Sequence, residues 1–150
     1  IRVHEVLPSI YCTAKTSSAG CMASISTTDL GGQPFSGARD YFVTASGVQE
    51  LKPGLLFAGI SGPASIPFLG ATLCAAPPLE RGPLIFSGGS NANGCNGSYS
   101  TLINSGDLVP DGLDAGPGNT AWYQHWHRDP DNGPDLLGTA LSNAVEITFF

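Results

Sequence analysis

Charge is scarce in this chain. Only 12% of its 150 residues are Asp, Glu, Lys or Arg, about half the share usual in soluble domains. The six bases, Arg2, Lys15, Arg39, Lys52, Arg81 and Arg128, form no cluster, and of the twelve acids seven fall after residue 104. A surface that neutralises phosphates needs grouped Lys and Arg. Nucleic acid and anionic membrane are therefore poor candidates as partners. No apolar run approaches the ~20 residues that span a bilayer, so membrane insertion is not expected. No secretory leader is visible, and the chain reads as a processed product or a fragment of something longer.

Uninterrupted stretches are equally scarce. With 20 glycines and 12 prolines, the longest segment free of both is Thr139–Phe150, twelve residues ending in β-formers. An average helix needs about eleven or twelve residues, and no helical period is present. Enzyme signatures are missing as well: the sequence holds no Gly-x-Ser-x-Gly elbow, phosphate-binding loop, HExxH or dinucleotide fingerprint. Ser, His and Asp occur without the spacing of a triad. The expectation is a protein that is not an enzyme and requires no cofactor.

What is present reads as strands. Ala23, Ile25 and Thr27 alternate with polar neighbours, and Tyr41, Val43 and Ala45 share one face. Leu55–Ile60 is a short continuous apolar run, as a strand buried on both faces requires, and Leu84–Phe86 and Tyr99–Ile103 add two more. Near 120–128, Trp122, Gln124, Trp126 and Arg128 fall on one face, expected to pack inward, with Tyr123, His125 and His127 on the other. Val145, Ile147 and Phe149 line the last strand. Ser61–Gly70, Ala75–Pro83, Ser87–Gly97 and Gly106–Gly118 read as loops. About eight antiparallel strands between turn signals predict an all-β domain of β-sandwich or jelly-roll type over residues 10–150, preceded by an extended segment over residues 1–9.

The four cysteines, Cys12, Cys21, Cys74 and Cys95, include no CxxC pair, which disfavours zinc and favours two disulfides. Of three connectivities, the sequence-local one, Cys12–Cys21 with Cys74–Cys95, is the expected pairing. Disulfides persist in oxidising compartments, so a secreted or cell-surface location follows.

One order of motifs is familiar. Tyr11-Cys12-Thr13-Ala14-Lys15 precedes Gly20-Cys21, followed by Lys52-Pro53-Gly54-Leu55-Leu56-Phe57 and Pro67-Phe68-Leu69-Gly70-Ala71-Thr72-Leu73-Cys74. Then come Cys95-Asn96-Gly97-Ser98-Tyr99-Ser100, Gln124-His125-Trp126-His127-Arg128-Asp129-Pro130 and Asn143-Ala144-Val145-Glu146-Ile147-Thr148-Phe149. Over Tyr11 to Phe149 this resembles a module at the C-terminal ends of large secreted proteins of environmental bacteria, planctomycetes among them. The resemblance implies an extracellular, non-catalytic appendage and carries no catalytic residues. At His125 and His127 the chain departs from the module's pattern, which tends to place an aromatic and a small polar residue there. Residues 1–9 lie outside the match.

Four constellations are candidates for function, each beside a plainer reading. His125 and His127, at i and i+2, are a candidate transition-metal pair, with His4 in reserve; the plainer reading is two half-exposed strand residues. Asp129, Asp131 and Asp135 resemble part of a calcium loop, although no Glu stands at the twelfth position, and an acidic turn between strands accounts for them better. Trp122 and Tyr123 are a candidate platform for sugar rings, whereas Trp126 is expected to be buried. Arg2, Val3, His4, Glu5, Val6 and Leu7 are a candidate assembly strand that adds to a neighbour's open sheet edge. Two functions follow. One is a structural subunit or adhesive module of a fibre or surface layer, with self-association or another cell-surface protein as partner. The other is a carbohydrate-binding module with glycans as partner.

Overall fold

The computed structural model describes residues 8–29, 31, 33, 40–91, 94–104, 113, 119–129 and 138–148. Among them there is no helix. Eleven strands follow one another: β1 (Ser9–Tyr11), β2 (Ser24–Asp29), β3 (Asp40–Val48), β4 (Pro53–Gly59), β5 (Pro63–Phe68), β6 (Ala71–Ala75), β7 (Leu79–Arg81), β8 (Ile85–Phe86), β9 (Gly97–Asn104), β10 (Thr120–Arg128) and β11 (Thr139–Thr148). All pairings are antiparallel. The larger sheet has the order β1-β11-β10-β4-β7, with β8 also on β4; β2-β3-β9 and β5-β6 form two smaller sheets.

The arrangement is sandwich-like because alternate residues of the two main sheets meet in one core. Ile25, Tyr41, Val43 and Ile103 of the three-stranded sheet pack against Leu56, Ala58, Ala121, Tyr123, Val145 and Ile147 of the larger one. Tyr41 and Tyr123 span the gap with their hydroxyls 2.9 Å apart. Tyr123 donates its single proton to the carbonyl of Leu113 at 2.5 Å, so Tyr41 is the donor between the two rings.

The larger sheet is also covered on its outer side. There the β5–β6 hairpin brings Ala71, Leu73 and Ala75 against Phe57 and Leu141, with Leu55, Leu79, Trp122 and Trp126 around them. The sequence reading took Ser61–Gly70 for a loop because of its Gly and Pro. It contains β5, where Pro63 and Pro67 are tolerated because β5 has β6 as its one strand partner among the described residues. β7 likewise lies within the expected loop Ala75–Pro83, as a short edge strand.

The cystine pairing differs from the sequence-local expectation. Cys12 bonds to Cys74 and Cys21 to Cys95, with sequence separations of 62 and 74. Cys12 follows β1 on β11, and β11 in turn packs against β6, which carries Cys74. Tertiary neighbours, not sequence neighbours, decide the pairing. No cysteine is left free, and two such bonds fit an oxidising compartment. No helix among the described residues is long and apolar enough to cross a membrane.

Candidate functional site: an apolar groove on the outer sheet

The face of β10 assigned inward by its pattern lies on the outside of the larger sheet, under the hairpin. Gln124 is fully buried there and joins the two layers. Its Oε1 accepts from the Cys74 N–H at 2.9 Å, and its Nε2 donates to the Thr72 carbonyl at 2.9 Å and the Ser142 carbonyl at 2.8 Å. A primary amide supplies a donor and an acceptor in the peptide arrangement, so Gln124 completes the edge of β6 as a strand would.

The hairpin leaves part of that outer face open. Beside it lies a groove of about 330 Å³, at the small end of the ≈300–1,000 Å³ typical of ligand pockets. Leu55 and Phe57, two residues apart on β4, form its floor. Phe68, Leu73, Trp126 and Leu141 wall one side, and Leu79 and Arg81 of β7 wall the other. Arg81 stands directly across from Phe57 in the pairing of β4 with β7 and is the one charged side chain among the described residues of the lining. Exposed Ile66, Phe68 and Leu69 continue the apolar surface along the hairpin. Sequence reading missed the groove because its residues come from six strands, two of them read as loops.

The opposite face of β10 points between the sheets. His125 and His127 are fully buried, a correction to the half-exposed reading. The Tyr99 ring stacks on His125 at 4.3 Å and 24°, and lies 6.1 Å from His127. None of the four imidazole nitrogens has a hydrogen-bond partner among the described residues. Burial pushes the His125 pKa down to about 3, helped by neighbouring His127, and that of His127 down to about 4, with Asp129 opposing and Lys15 assisting. Both rings are therefore neutral over most of the pH range. Among the described residues no group of three or more His, Cys, Asp or Glu side chains is placed to hold a metal ion, and His4 lies outside them.

Tyr123, the second half of the candidate sugar platform, is also fully buried, and its hydroxyl is engaged inside the core. Burial takes Tyr123 out of that platform. Trp122 is half-buried and its indole N–H donates to Glu146 at 2.7 Å. Trp126, expected to be buried, is also half-buried and lines the groove. Asp129 is buried and accepts hydrogen bonds from the N–H and hydroxyl of Ser18, while its own N–H donates to Gly138. Asp131 and Asp135 lie outside the described residues, as do Arg2, Val3, His4, Glu5, Val6 and Leu7 of the candidate assembly strand.

Glu50 carried no sequence signal. Its carboxylate accepts from the backbone N–H groups of Ser90, Asn91 and Asn96 at 3.0, 3.3 and 3.4 Å. The Ser90 and Asn91 bonds, which outweigh desolvation, hold its pKa below the usual carboxylate value. A Cβ at Gly94 would run into Glu50 Oε2, so a side chain there would displace the carboxylate from these hydrogen bonds. This is a structural clamp beside the Cys21–Cys95 bond. Set against protein families, curated proteins and solved structures, the chain matches none.

Proposed function

We propose that this chain is a non-catalytic extracellular assembly module, which joins copies of itself or another cell-surface protein through apolar contact and strand addition. The observation that carries the reading is the groove over Leu55 and Phe57, apolar but for Arg81. Among the described residues its lining holds no acid, imidazole, thiol or hydroxyl that could move a proton or attack a substrate. What it offers is a dry surface next to β7, the last strand of the larger sheet. Such an edge accepts an extended segment by backbone hydrogen bonds, with alternate side chains entering a pocket. The resemblance to C-terminal modules of secreted bacterial proteins points the same way.

A carbohydrate-binding role is the weaker alternative. Sugar sites need several hydrogen-bonding groups around an accessible aromatic face, whereas the indole N–H groups of Trp122 and Trp126 are taken up by Glu146 and Thr139, and among the described lining residues Arg81 adds the one charged group. Light scattering of the purified chain over a hundredfold concentration range, with a glycan array in parallel, separates the two. Concentration-dependent growth in mass and a blank array support assembly. A monomer throughout, with array hits weakened by Trp126→Ala, replaces it with sugar binding.

A further inference from the structure

The groove has an acceptor's shape, and the sequence contains a segment complementary to it. In an extended conformation residues 1–7 alternate between two faces. One face carries Ile1, Val3, Glu5 and Leu7, an apolar row broken by a single acid. The groove is the converse, an apolar lining broken by the single base Arg81.

We propose that the groove of one copy receives residues 1–7 of a second copy, added beside β7 with Glu5 against Arg81. The inference rests on the assembly reading above and deepens it by naming both halves of the contact. Arg81 and Leu79 are two residues apart on β7 and line the same groove. A strand laid along β7 with Glu5 opposite Arg81 therefore sets Val3 or Leu7 opposite Leu79, whichever way it runs. Apolar residues on both sides of Glu5 make the match independent of direction. The backbone gains in the same step, because β7 ends the sheet and has β4 as its one strand partner among the described residues. Unpaired edge groups are a standing template for another strand.

A second copy fits better than the chain's own segment. β1 pairs Ser9 with Glu146, Glu146 pairs with Trp122, and Trp122 pairs with Gly59. The chain thus joins β1 at the level of Gly59, and β11 and β10 lie between β1 and β4. Tyr11, through Ala144 and Gln124, is level with Phe57, so the groove floor at Leu55 and Phe57 lies at and beyond the Tyr11 end of β1, and Ser9 sits at the end farther from it. To lie beside its own β7 the segment would have to reverse and cross β11, β10, β4 and β7.

The test uses the full chain and sedimentation velocity at about 0.15 M salt, where screening leaves only close pairs effective. Four proteins are compared: the natural chain, E5R, R81E and the double exchange E5R/R81E. Each single exchange sets like charges together, so the dissociation constant rises by about fivefold or more, and the double exchange returns it to within about twofold of the natural value. Arg81 is exposed, so an unchanged melting temperature of R81E confirms that folding is intact. Self-association that ignores all three exchanges overturns this contact and leaves the assembly reading standing. A chain that is monomeric at every concentration overturns both.

Discussion

At the residue scale, the positions that matter most satisfy several backbone groups at once. Gln124 serves Cys74, Thr72 and Ser142 from a buried site. Gln124→Leu keeps the volume but strands one N–H and leaves two carbonyls without this donor, each buried unsatisfied group costing about 1–3 kcal/mol. Urea unfolding should show a loss of about 3 kcal/mol, with the β5–β6 hairpin losing amide protection first. Gly54 is fixed by close approach instead. A Cβ there would stand 2.6 Å from the Trp126 carbonyl oxygen and 2.8 Å from the Tyr99 ring, and neither backbone nor packed ring gives way easily. Gly54→Ala should therefore destabilise by about 2 kcal/mol or more, by the overpacking penalty, and a melting temperature equal to that of the natural chain would contradict this account. Neither role is written in the sequence: a glutamine between a tyrosine and a histidine looks like any strand residue until its partners are known.

At the scale of elements, the cystines decide how the outer hairpin is held. Cys12–Cys74 ties the end of β1 to β6, and Tyr11 adds a hydrogen bond from its hydroxyl to the Cys74 carbonyl at 2.6 Å. In the chain-entropy picture a loop of this length stabilises by about 4 kcal/mol, against about 3 for the shorter loops of the sequence-local pairing. The double variant Cys12→Ser with Cys74→Ser should lose about 4 kcal/mol in denaturant, with hydrogen exchange rising in β5 and β6 more than in β3 and β9. Mass spectrometry of the unreduced tryptic digest checks the pairing directly, and a peptide joining Cys12 to Cys21 would refute it. Strand pattern made β3, β4, β9, β10 and β11 readable, because their alternation or apolar continuity follows from burial on one face or both. β5 and β7 were unreadable for a physical reason: edge strands tolerate proline and need little apolar alternation.

At the scale of the whole molecule, two buried neutral imidazoles impose a pH dependence. Their pKa values in the folded chain, about 3 and about 4, lie below the ordinary 6.5. Between those limits the unfolded chain binds protons that the folded chain refuses, so stability falls as pH drops below 6.5 and is intact above it. From pH 7 to pH 5 the two groups should lower unfolding free energy by about 4 kcal/mol together, at up to about 1.4 kcal/mol per pH unit for each. Glu50 acts in the same sense at lower pH: its depressed pKa means that its hydrogen bonds stabilise above the ordinary carboxylate value and are lost as pH falls through the folded one. Denaturant titrations at each pH test the slope. Replacing both histidines by Phe, which can still stack near Tyr99, should flatten it between pH 7 and 5, and an undiminished slope would move the effect elsewhere. The groove and the proposed strand exchange also belong to this scale, since both require surfaces assembled from distant parts of the chain.

The sequence by itself determined the class of this molecule. Gly and Pro spacing left no room for helices, alternation placed the main strands, and four cysteines without metal-like spacing implied disulfides. These are local properties, set by backbone geometry and by periods of two residues. The tertiary structure alone decided which face of β10 looks inward, which cysteines meet, and where an open apolar surface remains. Those outcomes depend on how sheets stack, and a strand buried on both faces has an apolar pattern that does not say which side is which.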